Sequence, residues 1–406
     1  MEARFRLLIN DRFDCNEPYP EAVRAVLDSA AFEVARAEIG AWPEYRATPL
    51  RPLDDVADRC AVEAVLLKDE SRRFGLCSFK AIGGAYGVLR ALQGELQRRF
   101  GLSATGAQLR AGEHRRHTAD IVLACATDGN HGRAVAWAAR SFGCPCEVFV
   151  PRIVSEPRRR AIEDLGARVR VIDGTYDDAL AALHRAAAGD GWVVVSDQAQ
   201  AGYEAIPRDI MQGYTLIADE ALQQWPYEDP PTHVFLQAGV GGFAGAMCAH
   251  LWERCGERRP LPVCIEPLAA DCLYRSAAAG RPARVPGDLD TVMACLSCGE
   301  PSTLGWRILE RGAAAYLAID DQAAIDAMRL LARRRGGGLV VGESGAAGLA
   351  GLLLLAGDRA ARAEIGLGRD ARVLLFATEG ATDPVSYASL IGVSPAEVAS
   401  GLSTSG

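Results

Sequence analysis

Most of the strand-forming runs in this chain are apolar from end to end. "VEAVLL" (62–67), "DIVLACA" (120–126), "PCEVFVP" (145–151), "ARVRVID" (167–173), "GWVVVSD" (191–197), "THVFLQAG" (232–239), "PVCIEP" (262–267) and "ARVLLFAT" (371–378) mostly lack the alternation of a half-exposed sheet. A strand that is apolar at successive positions is buried on both faces, as in parallel sheets covered by helices. Ala/Leu/Arg segments with helical spacing, such as "EPRRRAIEDLGA" and "YDDALAALHRAAA", lie between the runs. The pattern predicts an α/β fold of open, mostly parallel sheets flanked by helices. Ligands of such sheets sit at the carboxyl ends of the strands. With 406 residues the chain has room for two domains.

The formal net charge of −8 argues against binding to a nucleic-acid backbone, which needs a basic face. The longest apolar run, "GLAGLLLLAG" (348–357), is about half a membrane span. The opening "MEARFRLLINDRFDC" lacks a secretory apolar region, so a cytoplasmic protein with no membrane partner is expected. Most of the twelve cysteines have apolar neighbours and read as small buried hydrophobes. "CPC" (Cys144, Cys146) and "CLSC" (Cys295, Cys298) are the exceptions, the second a weak candidate redox pair. Neither has the second Cys pair or histidines of a zinc site, so no metal is expected.

Of 44 basic residues only two, Lys68 and Lys80, are lysines. Lys80 stands in "CSFKAIGGA" (77–85), beside Phe79 and ahead of Gly83 and Gly84. A lysine can lose its proton and condense with an aldehyde, which arginine cannot do. Taken alone Lys80 is a surface lysine; its apolar and glycine neighbours suggest a partly desolvated amine suited to chemistry.

Three further turns carry polar chemistry at strand ends. "CATDGNHGRAVAWAA" (125–139) leads from a strand through Asp128, Gly129, Asn130, His131 and Gly132 into a helix. Asn130 can donate and accept hydrogen bonds and Asp128 can act as base or acid, although an Asx-capped turn reads the same way. "LQAGVGGFAGA" (236–246) is a glycine-rich turn between strand and helix, a phosphate-binding arrangement. "GVGGFA" also matches a dinucleotide fingerprint, with Glu266 at the end of the next strand. "LLFATEGATD" (374–383) puts Thr378 and Glu379 at a strand terminus, within reach of a ring nitrogen over the sheet edge.

Together these segments resemble the fold-type II pyridoxal-phosphate enzymes, the tryptophan synthase β-subunit superfamily. "TPL" (48–50), "LKDES" (67–71), "SFK", "GVGGF" and "GESGAAGL" (342–349) carry the resemblance over nearly the whole chain. Within the superfamily, "RFGLCSFKAIGG", "ATDGNHGR", "IPRDIMQGY" and "TEGATD" look like the diaminopropionate ammonia-lyases. Asp128 carries that distinction, because serine/threonine dehydratases usually have Ser or Thr before GNHG. Cys77 stands before "SFK", where a polar or small residue is usual.

The resemblance implies two domains, a large cofactor-binding one (1–88 and 210–406) and a small one inserted in it (89–209), in a homodimer. It implies pyridoxal 5′-phosphate bound as a Schiff base on Lys80 and elimination of a Cβ group from a small amino acid. In this reading Phe79 sits beside the lysine and Asn130 contacts the ring 3-oxygen. Gly239, Val240, Gly241, Gly242 and Phe243 bind the phosphate, and Thr378 meets the ring nitrogen. Lys80 is one Cα base and Asp128 a second, on the opposite face. Thr127, Asp128, Gly129 and His131 bind substrate, and Asp197, at the end of "WVVVSD", favours a Cβ-ammonium over a hydroxyl. The expected reaction converts 2,3-diaminopropionate, D and/or L, to pyruvate and ammonia. Cys272 and Cys298 are conceivable partners near the cofactor.

Other readings share some of these features. A serine/threonine dehydratase or β-replacement enzyme uses the same fold, with Asp128 incidental. A nicotinamide-dependent oxidoreductase uses "GVGGFA" and Glu266 and leaves Lys80 without a role. A homologue that only binds cofactor leaves both Lys80 and Asp128 idle.

Overall fold

The computed structural model describes residues 4–127, 129–334 and 337–401. In chain order the strands are β1 (Phe5–Ile9), β2 (Leu50–Pro52), β3 (Ala64–Asp69), β4 (Leu123–Ala126), β5 (Cys146–Pro151), β6 (Arg168–Ile172), β7 (Val193–Val194), β8 (His233–Gln237), β9 (Leu261–Pro267), β10 (Ala315–Ile319) and β11 (Arg372–Ala377). They form a seven-stranded sheet of order β1-β10-β9-β8-β11-β3-β2 and a four-stranded sheet of order β6-β5-β4-β7. The small sheet is parallel throughout. The large one is parallel except at its two edges, where β1 and β2 run antiparallel to β10 and β3.

The described residues group into two compact units, one from 1–29, 47–72 and 215–406, the other from 30–46 and 73–214. Residues 30–46, 73–88 and 210–214 therefore group with the small sheet, whereas the sequence grouped them with the large one. The physical reason is the single helix Lys80–Phe100, which runs unbroken past residue 88 and packs on the helix Asn130–Phe142.

In the first unit, β3, β8, β10 and β11 are buried almost throughout, as the unbroken apolar runs require. The run "GLAGLLLLAG" belongs to the helix Ala347–Gly357, which lies on this sheet: Gly351 faces Ile265 and Leu317. Among the described residues no helix is long and apolar enough to cross a membrane. In the second unit, Ala179 and Leu183 of the helix Tyr176–Asp190 pack against Ala124, Ala126 and Phe149 of the small sheet.

Three strands were absent from the sequence reading. β1 and β2 are edges, where a partly exposed pattern replaces the apolar run. β10 ("AYLAI") is fully buried and was hidden in an alanine-rich segment with helical composition. The polar stretch 100–118 contains the short helices Gly106–Arg110 and Arg115–Thr118, the first opened by a Thr105/Gln108 capping box.

Candidate active site

Lys80 opens the helix Lys80–Phe100. Its backbone N–H donates to Ser78 Oγ at 3.3 Å, which fixes the start of the helix. The approach to it is unusual: Phe74 and Cys77 have φ of +51° and +55°, a region that side chains seldom adopt. Phe74 is held there by stacking on Trp137, with ring centroids 5.0 Å apart and planes 12° from parallel. The small residue expected before "SFK" suits this backbone; Cys77 occupies it as a half-buried free thiol.

The Lys80 ammonium is ion-paired with Asp197 Oδ2 and lies 5.2 Å from the Phe79 ring centroid. The amine thus meets a carboxylate, where the sequence suggested only apolar and glycine neighbours. Asp197 itself is not at a strand end, because β7 stops at Val194 and Asp197 follows in the loop. Tyr203 braces that loop: its hydroxyl donates to Val194 O and accepts from Ser196 N–H, both at 2.9 Å. His131 braces it from the other side, with Nε2 at 2.8 Å from Val195 O. A carbonyl only accepts, so Nε2 carries a proton, and Nδ1 lies 3.9 Å from Asp197 Oδ2. Burial opposes the charge on Asp197, but Lys80 and then His131 outweigh it and hold the carboxyl well below its usual range.

The turn after β4 is built by Thr127, whose Oγ1 accepts from the N–H groups of Gly129 at 2.9 Å and Gly132 at 3.1 Å. Gly129 has φ +148°, which only glycine adopts without strain. The helix Asn130–Phe142 then begins, with Asn130 and His131 both buried in its first turn. Its positive end suits a carboxylate. Asp128 lies outside the described residues.

Gly239, Val240, Gly241, Gly242 and Phe243 belong to the other unit, between β8 and the helix Gly242–Cys255. Gly241 has φ +91° and caps the helix. A Cβ on Gly239 would come within 2.8 Å of Cys298 Sγ and 3.1 Å of Cys295 O, and one on Gly305 within 2.9 Å of Gly241. Ser302 N–H holds the loop through Val240 O at 2.8 Å. The loop is therefore a tight backbone cradle at a helix N-terminus.

Thr378 follows β11 and is buried. Gln237 Nε2 lies 2.7 Å from Phe376 O, which fixes it as the amide's donor end. It also donates to Thr378 Oγ1 at 2.9 Å, so the threonine's own proton is left to point at an acceptor. Glu379 is turned away from that role, since its Oε1 accepts from Ser344 N–H at 3.0 Å.

The structure thus brings Lys80, Phe79, His131 and Asp197 together in one unit, and the glycine loop and Thr378 lie in the other. Tyr203 and Gln237 escaped the sequence reading because each acts through a tertiary contact. Gln237 left one signal, a lone amide ending the buried strand "HVFLQ".

Glu266 does not read a ribose. Leu273 N–H donates to its Oε1 at 2.8 Å and Tyr274 N–H to its Oε2 at 2.7 Å, so both oxygens serve the start of the helix Cys272–Ala279. The nicotinamide reading therefore loses its acidic partner. Burial is the largest influence on Glu266 and pushes its pKa from 4.5 to about 8. A native state that keeps this proton loses stability relative to the unfolded chain as pH rises from about 4.5 to about 8. Urea unfolding at pH 5 and pH 8 is expected to show that decline, and Glu266→Met to flatten it; an equal decline in both proteins would assign it elsewhere.

Cys272 is a buried thiol whose Sγ lies 3.6 Å from Gly239 O. Among the described residues no group of three or more His, Cys, Asp or Glu is arranged to hold a metal ion.

The donor set suits a phosphorylated pyridine aldehyde. One unit offers a primary amine; the other offers, separately, a glycine-rich loop at a helix N-terminus too tight for Cβ atoms and a buried hydroxyl whose proton can be donated. Residues 41–379 match the pyridoxal-phosphate dependent enzyme family, and the chain belongs to that family. Diaminopropionate ammonia-lyase of Salmonella typhimurium is 40% identical over 361 residues, 86% of this chain and 89% of the relative. The crystal structure of holo diaminopropionate ammonia lyase from Escherichia coli has a TM-score of 0.86 at 36% identity, covering 95% of this chain and 96% of that one. The Escherichia coli enzyme in complex with an aminoacrylate-PLP azomethine reaction intermediate has a TM-score of 0.85 at 36% identity.

Proposed function

We propose that the protein eliminates the Cβ amino group of 2,3-diaminopropionate, in the D and/or L form, to give pyruvate and two ammonia. The observation that carries this reading is the ion pair of Lys80 with Asp197. Bound pyridoxal phosphate supplies the electron sink that makes a Cα proton removable. Lys80 is the group that holds the cofactor aldehyde, and its amine, once released, takes the Cα proton. While Lys80 is so engaged, Asp197 is left to a second cation, the Cβ-ammonium of the substrate. A site that stores one ammonium beside a carboxylate is suited to receive another. It discriminates against serine, whose hydroxyl cannot pair with the charge.

The remaining roles are those the sequence resemblance implies. The positive end of the helix at Asn130, with Thr127, Gly129 and His131, receives the substrate carboxylate. Asn130 serves the ring 3-oxygen and Phe79 lies beside the lysine. Gly239 to Phe243 receive the phosphate. Thr378 would meet the ring nitrogen and leave it less protonated than a carboxylate would, a milder sink suited to elimination over transamination. Asp128 is the second Cα base, for the opposite enantiomer. The active form is a homodimer, the arrangement that the sequence resemblance implies, in the cytoplasm.

Asp197→Asn is expected to lower kcat/KM for diaminopropionate relative to that for serine by about 10²-fold, toward the lower end of the loss from removing one partner of a desolvated charge pair, since this pair is only partly buried. Release of two ammonia per pyruvate by the unmodified protein would support the reaction. One ammonia per pyruvate, with serine preferred, would move the assignment to a serine/threonine dehydratase.

A further inference from the structure

Tyr214 closes the segment "IPRDIMQGY" within the helix Ala205–Gln223 and is 1% exposed. Three glycines explain its position. A Cβ on Gly213 would come within 2.8 Å of the Gly83 Cα, so the two backbones almost touch. A Cβ on Gly83 would fall inside the Tyr214 ring and against Ile210 O, and one on Gly87 would overlap the Ile210 side chain. The tyrosine ring therefore fills the volume that a side chain at 83 would take.

Lys80 and Gly83 are three residues apart on the helix Lys80–Phe100 and share a face. A ring seated on Gly83 lies beside the lysine side chain. Phe79 packs on the same ring, with centroids 4.8 Å apart and planes 54° apart, and the Lys80 Nζ is 5.2 Å from the Phe79 centroid. The Tyr214 hydroxyl has no exposure to solvent. Burial raises its pKa, while Lys80 and Asp197 act on it in opposite directions, so the phenol keeps its proton at neutral pH.

A carboxylate can only accept hydrogen bonds. Asp197 therefore serves the ammonium form of Lys80, whereas nucleophilic attack and proton abstraction both need the neutral amine with its lone pair held in a set direction. A neutral phenol oxygen accepts an N–H without drawing the amine into its charged form. We propose that Tyr214 is a positioning residue for Lys80, its hydroxyl oxygen accepting an N–H from the ammonium and then from the neutral amine, whose lone pair is left free to attack. Its work falls in the two states where the lysine is not joined to the cofactor, before loading and during turnover. The inference rests on the assignment of Lys80 made under Proposed function.

Tyr214→Phe keeps the ring that fills the space above Gly83 and removes only the hydroxyl. The test follows the rate at which cofactor-stripped protein takes up added pyridoxal phosphate into a visible absorbance band. The variant is expected to load about tenfold more slowly, as for loss of one net hydrogen bond, and to lose kcat by a similar factor with KM little changed. A loading rate that falls by less than about threefold, under half a decade, overturns the inference whatever kcat does. If the unmodified protein forms no band at all, the assignment of Lys80 fails instead. Should Tyr214→Phe not fold, 3-fluorotyrosine at 214 carries the test, because it keeps ring and hydroxyl and acidifies the phenol. The pH midpoint of loading then shifts if the hydroxyl bonds the amine, and an unshifted midpoint overturns the inference.

Discussion

Lys80→Ala is expected to abolish covalent cofactor attachment and to lower turnover by about 10³-fold or more, within the range for a positioned general base. The lysine's own contacts suggest that folding is largely spared. Its side chain is 19% exposed, and its charge partner Asp197 is 18% exposed and stays braced by Tyr203 and His131. Borohydride treatment of the loaded protein is expected to fix the cofactor permanently on Lys80 in the parent and nowhere in the variant. A visible band of equal strength in Lys80→Ala, or fixation at Lys68, would remove the basis for the assignment.

Lys68→Met is expected to do the reverse, with about 3–5 kcal/mol of stability lost and no direct effect on cofactor chemistry. Lys68 lies in β3 and is 0% exposed. Its Nζ pairs with Glu220 Oε2 at 2.7 Å and donates to Thr48 O at 2.6 Å and Gln224 Oε1 at 3.2 Å. Glu220 also accepts from Thr48 N–H at 3.0 Å, and Glu70 accepts from the Thr48 hydroxyl. Removing the cation strands carboxylates in a buried site, which costs more than the pair contributed. Chemical denaturation measures this directly. A loss below about 1 kcal/mol, the value of an exposed pair, would show that water reaches the cluster.

The chain therefore keeps two lysines for different reasons, and the sequence distinguished them only in part. Lys80 was legible because glycines and an aromatic surround a nucleophile at a helix start. Lys68 was read only as part of a family signature, because its partners come from residues 48, 220 and 224, far apart in the chain. The parallel strands were legible for a similar reason to Lys80: burial on both faces writes itself into consecutive residues. The edges β1 and β2 lack that signal, since one flank meets solvent. The same division runs through the site. Glycine turns such as 239–242 announce themselves locally. Tyr203, Tyr214 and Gln237 do not, because each matters through what a distant segment places beside it.

Two lysines also give the protein an unusual handle for chemistry. One ε-amine is sealed in the interior and the other is partly open beside Asp197. An amine-selective reagent that ordinarily decorates a protein surface at random would here find Lys80 as its accessible side-chain target, alongside the α-amine. Acylation located at Lys80 becomes an active-site titration, and the fraction of chains labelled there counts the molecules whose amine is still able to load cofactor.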